Sequence, residues 1–308
     1  MLRIGAFLSL CLMLLAFIPA RALAFEDYWG TRALGMGGAT RAFAVGDAGP
    51  LLNPSGMSLL KSYWVEGGYE YGHSLSENFL HASVVDGTSA YNLAGGLYYT
   101  YHLSNPPGGT SGHGHEAGFA LSAPLGDLVS LGATVKYLRL EGSDTGPNDV
   151  DHGVTFDVGT TIRPTPALSL ALVGANLYNL RNGQTPRSLA YGATYIPLPA
   201  LFIAVDGRTS FTPNNQTGRE GTSIFAGVDY TFVQKFGVRV GGGYDADTGN
   251  GYLTAGFSMI SEIGAVDLGF RQDITQGEIA PGIDSARNTV AAISVRLFIP
   301  AADTQPQP

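Results

Sequence analysis

Across 308 residues the chain spends only 14% on Asp, Glu, Lys and Arg, against about 25% in an ordinary soluble domain, and its 43 glycines are about twice the usual share. With 15 Tyr, 15 Phe and so little charge disorder is excluded; glycine without a three-residue period excludes collagen, and a net charge of -8 excludes a basic nucleic-acid binder. This much glycine, at about 1 kcal/mol each in a helix, also disfavours a helical bundle.

Residues 1–24 have the layout of a secretory signal. Arg3 gives the positive start, Ile4 to Ile18 the apolar stretch, and Ala22-Leu23-Ala24 the small-residue cleavage site. Pro19 breaks the apolar run at about 15 residues, short for a membrane helix. Cys11 lies inside this leader, so the mature chain is read as cysteine-free, with no disulfide and no thiolate chemistry. Removing Arg3 and Arg21 leaves 15 basic residues against 25 acidic ones. No later segment has 18 consecutive apolar residues. An exported chain of this kind is either soluble outside the inner membrane or inserted as a β-barrel.

Residues 25–62 are Gly-rich and aperiodic. Ala33-Leu34-Gly35-Met36-Gly37-Gly38-Ala39 leads to Gly46-Asp47-Ala48 and then to Asn53-Pro54-Ser55-Gly56-Met57, which local rules assign to turns and short helix, with Asn53-Pro54 as a turn initiator. A segment of this length outside any strand series, glycine-rich enough for close packing, suits the inside of a barrel.

From Tyr63 onward the apolar period is 2. Val154, Phe156, Val158, Thr160 and Ile162 alternate with Thr155, Asp157, Gly159, Thr161 and Arg163, the pattern of a strand with one apolar and one polar face. Fourteen such runs follow: about 63–73, 77–86, 91–103, 114–123, 128–140, 152–163, 167–179, 188–197, 200–211, 220–232, 235–245, 250–260, 263–275 and 288–299. Most have the length of a tilted strand crossing a bilayer, about 9 to 11 residues. Their connections alternate between long and tight, with the short Ser74–Ser76 link as the exception. Long external loops and short periplasmic turns belong to an outer-membrane barrel, and an even strand count puts both termini on the short-turn side. Residues 300–308 form a polar tail.

Charges inside the strands fall opposite the apolar parity: Lys136, Asp157, Asp206, Arg208, Asp229, Arg239, Asp267, Arg271 and Arg296. A lipid-facing Arg or Lys at mid-bilayer costs about 2–4 kcal/mol, so these are expected to line the lumen and pair across it. Gly132, Gly159, Gly227, Gly241, Gly243, Gly256 and Gly269 share that parity and leave room for a plug. Tyr63, Trp64, Tyr98, Tyr99, Tyr137, Tyr195, Tyr230, Phe232 and Tyr244 lie toward strand ends, where an aromatic girdle is expected.

The motifs Gly-Met-Gly-Gly-Ala from Gly35, Gly46-Asp47-Ala48 and Asn53-Pro54-Ser55-Gly56-Met57 resemble the N-terminal signature of the FadL/PorV-type outer-membrane barrels, with Ser55 where that pattern has Ala. Gly174-Ala175-Asn176-Leu177 and Pro186 to Tyr195 resemble mid-barrel elements of the PorV-type members. The resemblance implies a fourteen-stranded transmembrane barrel over 63–299, and a hatch over 25–62 in which Gly37, Gly38, Asp47, Asn53 and Pro54 gate the lumen. It also implies transport of fatty acids or hydrocarbons, or alternatively a secretion or surface-assembly scaffold that conducts little.

Other chemistry is sparse. The acidic stretch 141–151 lacks EF-hand spacing and is read as a solvated loop, with cation binding left open. His113-Gly114-His115 has no clear third ligand and is read as polar loop. Gly35 to Gly38 follows no strand of a βαβ unit, and no Ser/His/Asp grouping stands out. The chain is therefore read as a non-enzymatic outer-membrane protein without metal or cofactor. Its expected partners are lipid, lipopolysaccharide and either a hydrophobic small molecule or a secreted protein, but not nucleic acid.

Overall fold

A computed structural model describes residues 28–74, 76–90, 92–105, 111–141, 150–178, 186–211, 220–280, 283–284 and 287–299. The leader, the tail and most of the acidic loop lie outside the described residues. Among those described, fourteen antiparallel strands close into one barrel: β1 (Tyr63–Gly72), β2 (Glu77–Ala90), β3 (Leu93–Ser104), β4 (Gly112–Leu125), β5 (Val129–Glu141), β6 (Val150–Thr165), β7 (Leu168–Ala175), β8 (Ser188–Leu198), β9 (Leu201–Ser210), β10 (Thr222–Phe232), β11 (Phe236–Asp245), β12 (Asn250–Ile260), β13 (Gly264–Asp273) and β16 (Thr289–Ile299). A small ribbon, β14 (Glu278–Ala280) with β15 (Ile283–Asp284), sits in the last connection. Closure is made by β1 on β16, in register from Tyr63 opposite Ile299 to Gly72 opposite Val290. A closed sheet has no unpaired edge, as a bilayer requires.

Period 2 along each strand becomes two surfaces. Leu97, Phe119, Val135 and Phe156 are successive cross-strand partners, and all four side chains are exposed. Across the closing seam Leu268, Ile293, Tyr69 and Leu80 continue the same outer band. So large an exposed apolar surface is a liability in water; against lipid chains it is the natural exterior. No helix is long and apolar enough to cross a membrane among the described residues, which is expected where strands do the crossing.

The tight connections 126–128, 166–167, 199–200, 233–235 and 261–263 lie at the end where the chain enters at Tyr63 and leaves at Ile299. The opposite end carries the long ones, but 246–249 is as short there as 73–76, so the alternation has two exceptions. The seventh strand is shorter than its apolar run: it ends at Ala175, because Asn176 takes a left-handed φ of 53°. Two girdle aromatics are corrected. Trp64 and Tyr98 are buried inside the wall, since they share parity with Glu66 and Thr100; lying near a strand end does not assign a face. Tyr99, Tyr137, Tyr195, Tyr230, Phe232 and Tyr244 do face outward.

Candidate functional site

Residues 28–62 pack against the inward-facing side chains of the wall. Two short helices, α1 (Thr31–Gly35) and α2 (Ala48–Leu52), alternate with 3-10 turns at Arg41–Phe43 and Pro54–Leu59. None is long enough to be stable alone; contact with the wall holds them. Trp29, Ala33, Met36, Ala39, Ala44, Ala48 and Leu52 form one buried cluster with Ala204, Phe225 and Tyr252 of the wall. Trp29 meets Phe225 edge-on at 5.6 Å.

Inward glycines make the close approach possible. A Cβ on Gly227 or Gly241 would lie 2.3 Å or 2.5 Å from the Met36 backbone. One on Gly132 would meet Pro54 at 2.4 Å, and one on Gly159 would meet Asn53 Oδ1 at 2.1 Å. The glycine of the wall is thus a set of slots for this segment. Gly37 returns the fit: at φ +66° it lies against the Gly242 backbone, where a Cβ would come within 2.5 Å.

Each gating candidate has a definite place. The Gly37 carbonyl accepts from Tyr252 OH at 3.0 Å, and the Gly38 carbonyl accepts from Arg41 at 3.2 Å. Asn53 is fully buried; its amide donates to the Arg41 carbonyl at 2.7 Å and Thr161 Oγ1 at 3.0 Å, and its Oδ1 accepts from the Ser55 hydroxyl at 2.7 Å. Pro54 lies on Gly132. Asp47 caps α2 through Oδ1, while its Oδ2 has no hydrogen-bond partner among the described residues. Burial, reinforced by the Glu66 carboxylate, holds the Asp47 carboxyl well above the usual carboxylate range.

The nine strand charges are all buried, but they do not pair only with one another. Lys136 meets Asp157 at 2.9 Å. Arg239 joins Asp229 at 3.0 Å and Asp267 at 3.1 Å, and Asp267 also receives Arg296. The other partners come from residues outside the nine. Asp206 accepts from the backbone of Thr40 and Arg41, each at 2.9 Å. Arg32 meets Asp229 at 2.9 Å and Glu66 faces Arg296 at 3.5 Å. Arg208 pairs with Asp247 at 3.2 Å and lies 3.7 Å from Asp245, and Arg271 pairs with Asp273 at 3.1 Å. Glu66, Asp245 and Asp273 stand on the inward parity and could be read from it; Arg32 and Arg41 lie in an aperiodic segment that gives no such signal.

Two hollows remain. One, bordered by Leu51, Leu52, Lys136, Asp157, Val173 and Asn176, lies between the segment and the wall. The other, of about 790 Å³, opens at the tight-turn end beside Ser58, Leu59, Pro124, Ser130 and Arg163. His113 and His115 are on the outer face, where His113 meets Glu141 at 3.0 Å; no group of three or more ligands placed to hold a metal occurs among the described residues.

No family model and no curated protein sequence matches the chain. Solved structures do. The CymD monoaromatic hydrocarbon channel is 15% identical with a TM-score of 0.73, over 90% of this chain and 100% of that one. A FadL homologue of Pseudomonas aeruginosa is 12% identical with a TM-score of 0.65, over 90% and 99%. The chain has the FadL-type barrel fold. The toluene transporter TodX of Pseudomonas putida is likewise similar, 12% identical with a TM-score of 0.62 over 91% and 99%. The likeness spans almost the full length of these neighbours.

Proposed function

We propose that the protein is a passive channel for hydrophobic small molecules in the outer membrane of a Gram-negative cell, of the fatty-acid or hydrocarbon class, with no enzymatic step. The carrying observation is the lumen itself: an apolar exterior surrounds a wall whose glycines and charges receive residues 28–62. That the similar barrels include a monoaromatic hydrocarbon channel and a toluene transporter supports this solute class. Residues 25–62 act as the hatch, residues 1–24 as the export leader, and both termini face the periplasm. The solute enters from the lipopolysaccharide side, where a hydrophobic molecule otherwise crosses slowly.

Deleting residues 25–62 tests this. In proteoliposomes and planar bilayers the full chain is expected to conduct ions weakly and to pass toluene or a fatty acid, and the deletion to leave an unregulated pore. Unchanged uptake and conductance after deletion would refute the hatch. A full chain that passes none of these solutes, yet is recovered crosslinked to a secreted or surface protein, would favour the scaffold reading supported by the resemblance of residues 174–177 and 186–195 to PorV-type elements.

A further inference from the structure

We infer that the hollow at the tight-turn end is a site for a small amphipathic monocarboxylate, its carboxylate held by the Arg163 guanidinium. At about 790 Å³ the hollow has the size of ordinary small-molecule sites, about 300–1,000 Å³. Arg163 is on the inward parity of β6, beyond Thr161, where the pairing of β6 with β7 shifts register between Ile162 and Thr165. An irregularity of this kind re-aims a side chain. The residue is half-buried; its Nε is shut off from solvent without a hydrogen-bond partner, and its guanidinium forms no ion pair among the described residues. Every other buried or half-buried Lys or Arg among those residues meets a carboxylate. Arg208 and Arg296 also have an Nε without a hydrogen bond, but Asp247 lies 3.2 Å from the first guanidinium and Glu66 3.5 Å from the second. Arg163 is thus a partly desolvated cation without a counter-ion, an arrangement that burial penalises.

The lining selects the chemistry. Its charged members are Arg163, Lys61 and Asp127, one positive charge in excess, which suits a monoanion. Leu59, Leu128, Pro124 and Pro164 give an apolar side for the rest of the molecule. A guanidinium presents paired N–H donors that match the two oxygens of a carboxylate. A plain hydrocarbon would cover the cation and complete its desolvation, and a bare inorganic anion would leave the apolar side in water. Asn53 and Ser55 bond Thr161, the neighbour of Arg163 on the same face of β6, and Ser58 and Leu59 border the hollow. A carboxylate leaving the lumen past these bonds therefore meets Arg163 before it reaches the periplasm.

The site rests on the channel reading only for the direction of this traffic. The test uses the full-length protein in non-ionic detergent at pH 8 and calorimetric binding of 4-methylbenzoate against 4-methylbenzamide, which have nearly the same shape and differ in charge. The carboxylate is expected to bind about tenfold tighter or more, and high salt should weaken it while leaving the amide unaffected. Arg163→Gln removes the charge at the end of a strand whose ladder it does not touch; it should abolish the preference and leave amide binding unchanged. Arg163→Lys keeps the charge without the paired donors and should retain part of the preference. Equal binding of the two compounds, or a preference that survives in Arg163→Gln, would overturn the proposal. So would inorganic phosphate binding as tightly as 4-methylbenzoate, since the apolar side would then contribute nothing. Proteoliposome flux separates the two claims: if neither compound crosses, the channel reading fails while the binding result still decides this one.

Discussion

The N-terminal segment is fixed to two opposite stretches of wall by different chemistry. From Trp29 to Arg41 it faces β9 to β13 and β16, where Arg32 reaches Asp229 and the backbone of Thr40 and Arg41 is held by Asp206. From Asn53 to Leu59 it faces β4 to β6 with no charged side chain at all. There Asn53 and Ser55 bond Thr161, and Ser122 bonds the Ser55 carbonyl. Removing one member of a buried charged set leaves its partners uncompensated, at about 3–5 kcal/mol, whereas a neutral hydrogen bond is worth about 1 kcal/mol net. If residues 25–62 act as the hatch proposed above, the difference predicts unequal roles: the charged half is expected to serve as the hinge side, and the neutral half, which ends beside the hollow at Ser58 and Leu59, to release first.

The largest expected effect comes from breaking the charged half. Asp267 receives both Arg239 and Arg296, so Asp267→Ala takes one of the two carboxylates from each of two buried guanidinium groups, leaving Arg239 with Asp229 and Arg296 with Glu66. A loss of about 3–5 kcal/mol is expected in urea unfolding from lipid vesicles. In a Cys11→Ser background, a cysteine introduced at Ala39 should become labelled by an aqueous thiol reagent. A variant as stable as the parent, with Ala39→Cys still protected, would remove the contrast between the halves.

Next in size is a wall substitution under the neutral half. Gly159→Val places atoms where Asn53 Oδ1 now lies, since even a Cβ there would be 2.1 Å from it. Overpacking of this kind costs about 1–3 kcal/mol. The segment can yield, whereas β6 is held by its ladders to β5 and β7. The expected outcome is a barrel that still folds, labels readily at Ser58→Cys, remains protected at Ala39→Cys and shows raised conductance. Equal labelling at both positions would mean that the segment moves as one body. Ser55→Ala, which loses hydroxyl bonds to Asn53 and Thr161, should shift the same readouts in the same direction by about 1 kcal/mol.

How much of this was legible follows from what periodicity encodes. Strand number, the apolar exterior and the inward parity of Lys136, Asp157 or Gly227 are all local, because side chains alternate faces every residue. Contacts across the lumen are not local. Nothing near Asp206 in sequence indicates that the backbone of Thr40 and Arg41 would fill its acceptors, or that Arg32 would share Asp229 with Arg239. Trp64 and Tyr98 show the opposite failure: parity assigned them inward, and a rule about strand ends overrode it. Asn176 was legible only as part of a motif, since its left-handed turn and its side-chain bond to the Pro186 carbonyl leave no mark on the local pattern.

The smallest effect sharpens where the two halves meet, at Asp47. Burial and the nearby Glu66 hold its carboxyl above the ordinary range, so the seated segment binds that proton more tightly than the released one. The sign follows from linkage: seating is weakest at pH values above the raised pKa and strengthens as pH falls toward the ordinary carboxylate value of about 3.9. Asp47→Asn carries no charge at any pH and keeps an oxygen that can cap the Ala48 N–H. At pH 8 it should open less often in single-channel records than the parent protein, and between pH 8 and pH 5 its opening frequency should change less. Arg296, which the Asp47 charge also reaches, works against this effect, which keeps it smaller than the others. If Asp47→Asn opened more often at pH 8, the attraction to Arg296 would outweigh the burial cost, and Asp47 would belong with the charged half as a further anchor.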